Sequence, residues 1–360
     1  EYEFATDALW ASALGMPLRI MAGEPLYAFP NSASEHFKLP SGRLKPKGGK
    51  YSLQFTTELW ETPYLDQVRL IVVDHPDSVD IFVDETFTPP PFPPFRIYAV
   101  TDKRQPVSAR DDRGNDVLEK IAHADGDYVS NLTPAMYQGV MEHHDLILDL
   151  GDLSGADSVF LFLYGWLFPT DASINMNMAQ SAAAGSVFPL LQVIDDEGNW
   201  KTVIENLSFP KGKNKTLVVE LTNKFLTHDY RIRIRTNMQI YWDHIFYSTD
   251  VSSGSLRKVR LDPVAADLHY RGFSELTWET PYSPSIPDYQ TVSTEAKWRD
   301  LTGFYTRYGD VLPLLLESDS KYVVMNAGDE VTLEFDAEDS PELPSGWSRD
   351  FLFYNNGWLK

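Results

Sequence analysis

Residues 57–67 read TELWETPYLDQ and residues 274–285 read SELTWETPYSPS. The pentapeptide Trp-Glu-Thr-Pro-Tyr thus stands twice, at Trp60–Tyr64 and at Trp278–Tyr282. If it marks a repeated unit, the segments downstream must match in the same order. They do. RGNDVLEKIAHADGDYV follows the first copy and RYGDVLPLLLESDSKYV the second. In both, Asp-Val-Leu (Asp116–Leu118 and Asp310–Leu312) precedes an apolar turn and then Tyr-Val at the same spacing, at Tyr128 and Tyr322. HHDLILDLGD and GDEVTLEFDA come next, both alternating apolar and polar with the period of a half-buried strand. SVFLFLYGWLF and RDFLFYNNGWLK then end on Gly165-Trp166 and Gly357-Trp358. Matched blocks in one order predict an internal duplication.

After the first Gly-Trp the chain continues with strand-like runs: FPLLQVID, WKTVIE, KTLVVELT, YRIRIRTN and IYWDHIFYS. The second copy stops at Lys360, where those strands would begin. A sandwich without them would leave a core face and strand edges open. Either the chain continues beyond Lys360 or another segment completes the unit, and continuation is the expectation. The start, EYEFATDALW, carries neither a basic nor an apolar leader region and no initiator Met, so a processed or excised chain is expected.

Strand signals dominate elsewhere too. YSLQFTTELW, QVRLIVVD, SVDIFVDE and FRIYAV are short, β-branched or aromatic, and bounded by Gly, Pro, Asp or Asn. DDEGNW (195–200) reads as a hairpin turn. Helical periodicity is confined to NDVLEKIAHA (115–124) and GDVLPLLLES, each predicted as a short helix. TPPPFPPF (88–95) lacks backbone donors and reads as a stiff connector, with docking to an aromatic groove as the alternative. The predicted class is all-β, with tandem duplicated, jelly-roll-like β-sandwich units and few short helices. An N-terminal β region is expected over 1–105, a β-sandwich over 106–252, and a truncated second copy over 253–360.

Composition limits the function. The 360 residues carry 52 acidic and 31 basic side chains, a formal charge of −21. Such a surface repels phosphate backbones, so nucleic acid is not an expected partner. Cysteine is absent, which removes disulfides, thiolate metal sites and cysteine nucleophiles. No apolar run approaches the ~20 residues that span a bilayer, so no membrane span is predicted.

Two resemblances follow from these segments. Residues 145–250, ending in YRIRIRTNMQIYWDHIFY, resemble a galactose-binding-like jelly roll, a fold shared by unrelated functions. The run ELWETPYLDQVRLIVVDHPDSVDIFVDETFTPPPFPPFRIYAV resembles the C-terminal region of bacterial FG-GAP/VCBS proteins that carry an ASPIC/UnbV segment, as do PVSARDDRGNDVL and YVVMNAGDEVTLEFDA. That resemblance implies an exported, cell-surface protein, with the calcium-binding FG-GAP repeats upstream, and it brings no enzymatic activity.

Several residue groups could carry chemistry. LYGWLFPTD and NMQIYWDHIFY place Tyr164, Trp166, Tyr241 and Trp242 near Asp171, Asn237 and Asp243. Rings with nearby carboxylates and amides suit sugar recognition, although a Gly-Trp that recurs also suits a core tryptophan. Tyr241 and Trp242 are neighbours on one strand, so one must face the core and the other away from it. Asp111, Asp112, Asn115 and Asp116 offer hard oxygens suited to Ca²⁺, with turn formation and helix capping as the competing role. No other cofactor is expected. His143 and His144 are adjacent on a strand and so point to opposite faces. Glu61 and Glu279 recur in both pentapeptides, which suggests a structural bond over a catalytic pair. No nucleophile elbow, phosphate-binding glycine loop or zinc-protease helix is present. The expectation is a non-catalytic, secreted or cell-surface binding or scaffolding module with a glycan or protein ligand. A structural subunit of an extracellular assembly and a carbohydrate-active enzyme are the alternatives.

Overall fold

The computed structural model describes Ser32, residues 34–180, Gly185, and residues 187–252, 256–319 and 321–359. Residues 1–31 of the expected N-terminal region lie outside these. Three strands open the described chain: β1 (Ser34–Lys38), β2 (Lys50–Thr56) and the long β3 (Pro63–Pro76). β4 (Asp80–Val83), β5 (Thr86–Phe87) and β6 (Ile97–Val100) flank the proline-rich stretch. β7 (Ser108–Asp111), β8 (Val140–Asp149) and β9 (Phe160–Leu167) lead to α1 (Ala172–Gln180). Then come β10 (Leu190–Ile194), β11 (Trp200–Ile204), β12 (Phe209–Pro210), β13 (Lys215–Glu220), β14 (Arg231–Met238), β15 (Ile240–Ser248) and β16 (Val251–Ser252). The chain returns with β17 (Arg257–Leu261), β18 (Ala265–Tyr270), the hairpin β19 (Phe273–Thr277) and β20 (Ile286–Ser293), β21 (Gly309–Asp310), β22 (Val323–Val324), β23 (Asp329–Asp336) and β24 (Trp347–Leu359).

Alternation in the sequence becomes alternation in burial. β2 buries Tyr51, Leu53 and Phe55, and β14 buries Ile232 and Ile234 between its arginines. One sandwich stacks the sheet β1-β24-β3-β17, with β22 added on β3, against β2-β23-β18-β21. Its core includes Phe55, Leu70, Leu268, Leu333 and Phe353. A second sandwich stacks β13-β9-β15 against β11-β10-β14-β8-β7 around Leu148, Leu161, Leu163, Val193, Ile232 and Trp242. Between them lies the small sheet β16-β6-β4. Ile81, Val83 and Ile97 pack on Ile71, Val73 and Leu352 of the first sandwich. Phe82, Tyr98 and Val100 turn the other way, onto Phe160, Phe162 and Phe246 of the second. The fold is therefore all-β, five sheets deep.

Strands from both ends of the described chain share the first sandwich. β24, the last strand of the stretch expected to be truncated, is flanked by β1 and β3, and β23 by β2 and β18. Strands β1, β2 and β3 from the start of the described chain thus share sheets with β23 and β24.

Two local expectations need correction. The helix predicted over 115–124 is only a 3₁₀ turn, Glu119–Ile121. Val117 N donates to Ala109 O of β7 and Leu118 N to the Asp116 carboxylate, and the turn that follows closes with i→i−3 bonds from Lys120, Ile121 and Ala122 to Val117, Leu118 and Glu119. The counterpart near Pro313 is likewise a 3₁₀ turn, Leu312–Leu314. Helix α1, by contrast, follows no signal read in the sequence. Asp171 Oδ1 accepts from Ile174 N at 2.8 Å and caps it.

The packing between layers predicts a mutational outcome. Phe162 is fully buried, stacked on Phe246 at 4.6 Å and tilted against Phe82 at 5.1 Å. Phe162→Ala is expected to cost about 3–5 kcal/mol, read as a lowered denaturant midpoint at unchanged slope.

Candidate binding sites

The Gly-Trp pair of β9 has a steric origin. A side chain on Gly165 would place its Cβ 2.3 Å from Tyr241 O on β15. The two backbones meet closely there because β15 bulges between Trp242 and His244, leaving Asp243 unpaired in the ladder. Trp242 takes the core side. Tyr241 takes the other, stacked with Trp166 at 5.2 Å and set edge-on to Tyr128 at 6.3 Å. Gly126 N donates to Asp243 at 2.9 Å, and burial lifts this carboxyl to about 6.

This ring cluster is covered by the chain itself. The tip of the β19–β20 hairpin, Trp278–Ser285, lies on it: Trp166 Nε1 donates to Tyr282 O at 2.9 Å, and Lys213 Nζ donates to Ser285 O. Tyr282 sits 6.0 Å from Tyr241. The other ring and polar residues expected to bind a ligand are dispersed. Tyr164 is half-buried on β9. Asp171 caps α1, and Asn237 accepts from Val187 N while donating to Gly185 O. The structure brings Trp166 and Tyr241 together and parts the rest.

A second, matching arrangement stands in the first sandwich. Gly357 on β24 would place a Cβ 2.1 Å from Tyr64 O on β3. The register shifts there between Asn356 and Gly357, leaving Asp66 as the extra residue. Trp358 stacks on Tyr64 at 3.7 Å, and Tyr322 stands edge-on to Tyr64 at 5.9 Å. Asp66 accepts from Ser318 Oγ and Asp319 N, as Asp243 accepts from Gly126 N. Tyr64-Leu65-Asp66 therefore plays the part of Tyr241-Trp242-Asp243, a Tyr-x-Asp match that the sequence held but that the pentapeptide concealed. The two pentapeptides themselves are placed differently. The first runs into β3 and supplies a wall of one cluster; the second forms a hairpin tip and covers the other.

The acidic turn organises backbone. Asp111 is buried and accepts from Arg113 N, Asn115 N, Asn115 Nδ2 and Asn131 Nδ2, so its lone pairs are already directed at protein donors. Asp116 caps Leu118 N, and Asp112 is exposed. Among the described residues no group of three or more His, Asp or Glu is set to hold a metal ion. His144 Nδ1 lies 3.1 Å from Glu142 O, beside the exposed His143. Glu279 is exposed, whereas burial lifts Glu61 to about 7.

An open cleft lies where β1 meets the proline-rich segment. Its cavity of about 200 Å³ is lined by Ser34, Glu35, His36, Asp84, Thr86, Thr88, Phe92, Phe95, Arg96 and Lys211, among others. His36 stacks on Phe95 at 3.6 Å. Burial, with Arg260 and Lys211 nearby, holds its imidazole down at about 4, so the ring is neutral at ordinary pH. Lys211 pairs with buried Glu35 at 2.9 Å. Asp84 accepts from Thr86 Oγ1 and Val218 N, and burial raises its carboxyl. Glu85 beneath it accepts from Lys38 N and Thr216 N across the seam. Sequence reasoning missed this site because its polar residues come from β1 and from segments distant in the chain. Only Phe92 and Phe95 in the proline run gave a signal.

Two outcomes follow from this geometry. Gly165→Ala and Gly357→Ala are each expected to destabilise by about 2–4 kcal/mol, because the added methyl meets backbone that cannot yield; thermal unfolding reads this directly. For Glu61, the folded state keeps a proton that the unfolded chain releases near 4.5, so stability falls as pH rises from about 4.5 towards 7. Glu61→Gln removes that penalty. It is expected to stabilise by on the order of 1–3 kcal/mol at pH 8 and by little at pH 4, measured as Tm at both.

No protein-family model, curated protein or solved structure matches the chain.

Proposed function

We propose that the chain is a non-catalytic β-sandwich module, secreted or displayed at a cell surface, that binds a glycan in the cleft between β1 and the proline-rich segment. One observation carries this reading. The rings of Phe92, Phe95 and His36, the last two stacked on each other, line one cavity with Ser34, Thr86 and Thr88 and the charged Asp84, Arg96 and Lys211. A sugar offers apolar C–H faces to rings and hydroxyls to polar groups, and this lining answers both needs. At about 200 Å³ the cavity is smaller than the roughly 300–1,000 Å³ of sites for drug-sized ligands, which suits one ring of a longer glycan.

The carboxylates support binding over turnover. Glycoside hydrolysis needs an acid and a base free to reach the bond on either side. Here Glu35 is paired with Lys211, and Asp84 and Glu85 accept backbone N–H groups from β1 and β13. Their bonds hold the seam together. The resemblance to surface proteins with FG-GAP/VCBS and ASPIC/UnbV segments supports the extracellular setting. A structural role within an extracellular assembly is the second reading, favoured by the exposed Trp60, Trp278, Trp298 and Phe304.

The test is a glycan array followed by calorimetry on the glycans retained. Phe95 is 44% exposed, so Phe95→Ala is expected to leave the fold intact. It should weaken binding about tenfold, the value of one stacked ring face. The reading fails if no glycan is retained, if Phe95→Ala binds as tightly as the unmodified chain, or if reducing ends are released.

A further inference from the structure

The cleft between β1 and the proline-rich segment is lined by Glu35, Asp84, Arg96 and Lys211, which carry formal charge, and by His36. Most of that charge is answered inside the protein. Lys211 Nζ pairs with the buried Glu35 carboxylate at 2.9 Å. Asp84 accepts from Thr86 Oγ1 and Val218 N, and burial pushes its carboxyl towards the neutral form. The imidazole of His36, held down at about 4 by burial and by Arg260 and Lys211, is uncharged at ordinary pH. Arg96 differs. It is exposed on the cleft wall, and among the described residues its guanidinium has neither an ion pair nor a hydrogen bond. Asp84 and Glu220 act with it on the Tyr98 hydroxyl, yet neither carboxylate pairs with it. In a chain with 52 acidic and 31 basic side chains, a cation left without a carboxylate at a cavity wall is one that a ligand can answer.

The guanidinium is nevertheless held in place. Its Cζ lies 4.7 Å from the centre of the Tyr98 ring on β6 and 5.5 Å from that of Phe160 on β9. Contact with ring faces fixes a guanidinium without using its five N–H donors, which stay available as a planar fork. A carboxylate matches that fork with two parallel bonds. Phe92 and Phe95 line the same cavity, so a ligand that meets Arg96 also meets an apolar wall. On the reading that this cleft holds a glycan, we infer that the glycan carries a carboxylated sugar, a uronic or sialic acid, whose carboxylate takes the Arg96 fork while its ring lies against Phe95. One cation answers one carboxylate. The formal charge of −21 works against a glycan that is acidic at every ring. At physiological salt that field is screened beyond about 8 Å, which leaves a single contact at Arg96 intact. The ligand is therefore a glycan with an isolated acidic sugar.

The test is calorimetry of the whole chain with oligosaccharides carrying a single glucuronate, galacturonate or sialic acid, each beside its carboxyl-reduced neutral counterpart. At least one acidic member is expected to bind about tenfold more tightly than its neutral twin. Arg96→Gln removes the charge from an exposed position and should bring that ratio to about one at an unchanged Tm. Arg96→Lys keeps the charge without the fork and should restore only part of the ratio. The inference is overturned if the neutral twins bind as well as the acids, if the ratio survives Arg96→Gln, or if a hexauronate binds more tightly than every single-acid member. Its failure can be told from that of the cleft reading. If acidic and neutral members bind alike and both weaken in Phe95→Ala, the cleft stands and the acid is wrong. If Phe95→Ala weakens neither, or if nothing binds, both fall.

Discussion

The architecture depends on a sheet of three short strands that is apolar on both faces. Ile81, Val83 and Ile97 look one way, and Phe82, Tyr98 and Val100 the other. Residues that alternate along a strand normally divide into a buried set and a solvated set. Here both sets are buried, so neither flanking sandwich can move off without exposing hydrocarbon. The seam this creates is where β1, β5 and β12 meet. The cleft with His36, Phe95 and Lys211 exists only because the layers are held in that order.

Backbone proximity governs the second theme. At Gly165 and again at Gly357 a bulged partner strand brings a tyrosine carbonyl to where any Cβ would stand. The bulge redirects one side chain outward and leaves an aspartate to hold a neighbouring loop. A tryptophan directly after the glycine then lies flat on the tyrosine. Steric exclusion fixes the glycine; the bulge fixes the tyrosine and the aspartate. The same local solution is built on two pairs of strands, and one of the pairs draws its members from opposite ends of the described chain.

Much of this was legible in the sequence. Period-two runs such as LILDL, RIRIR and VTLEF became strands because one face of each meets a core. Gly-Trp and Tyr-Val recurred for reasons the coordinates supply. The Trp-Glu-Thr-Pro-Tyr pair misled, because identical letters occupy a strand start and a hairpin tip, and nothing local distinguishes them. Asp111 and Asp171, singled out in the sequence for a metal and a ligand, each accept backbone N–H groups in the fold. Carboxylates in turns serve this purpose so often that composition alone separates the roles poorly. The cleft was hidden for a different reason: Glu35, Asp84 and Lys211 lie far apart in sequence, and only the tertiary pairing of β5 with β12 assembles them.

The pairing of Tyr64 with Trp358 also sets an order of events during synthesis. β3 leaves the ribosome well before β24, and every strand of the Trp166 sandwich lies between them. The inner unit can close on contacts nearer in sequence, and the outer one must close last across the longest loop in the molecule. Of the two strands that flank the run Leu70–Val73, β17 emerges before β24, so until β24 follows this apolar stretch lacks one of its neighbours. A nascent chain of this design needs that open strand edge protected, whether by a chaperone or by speed, until β24 arrives.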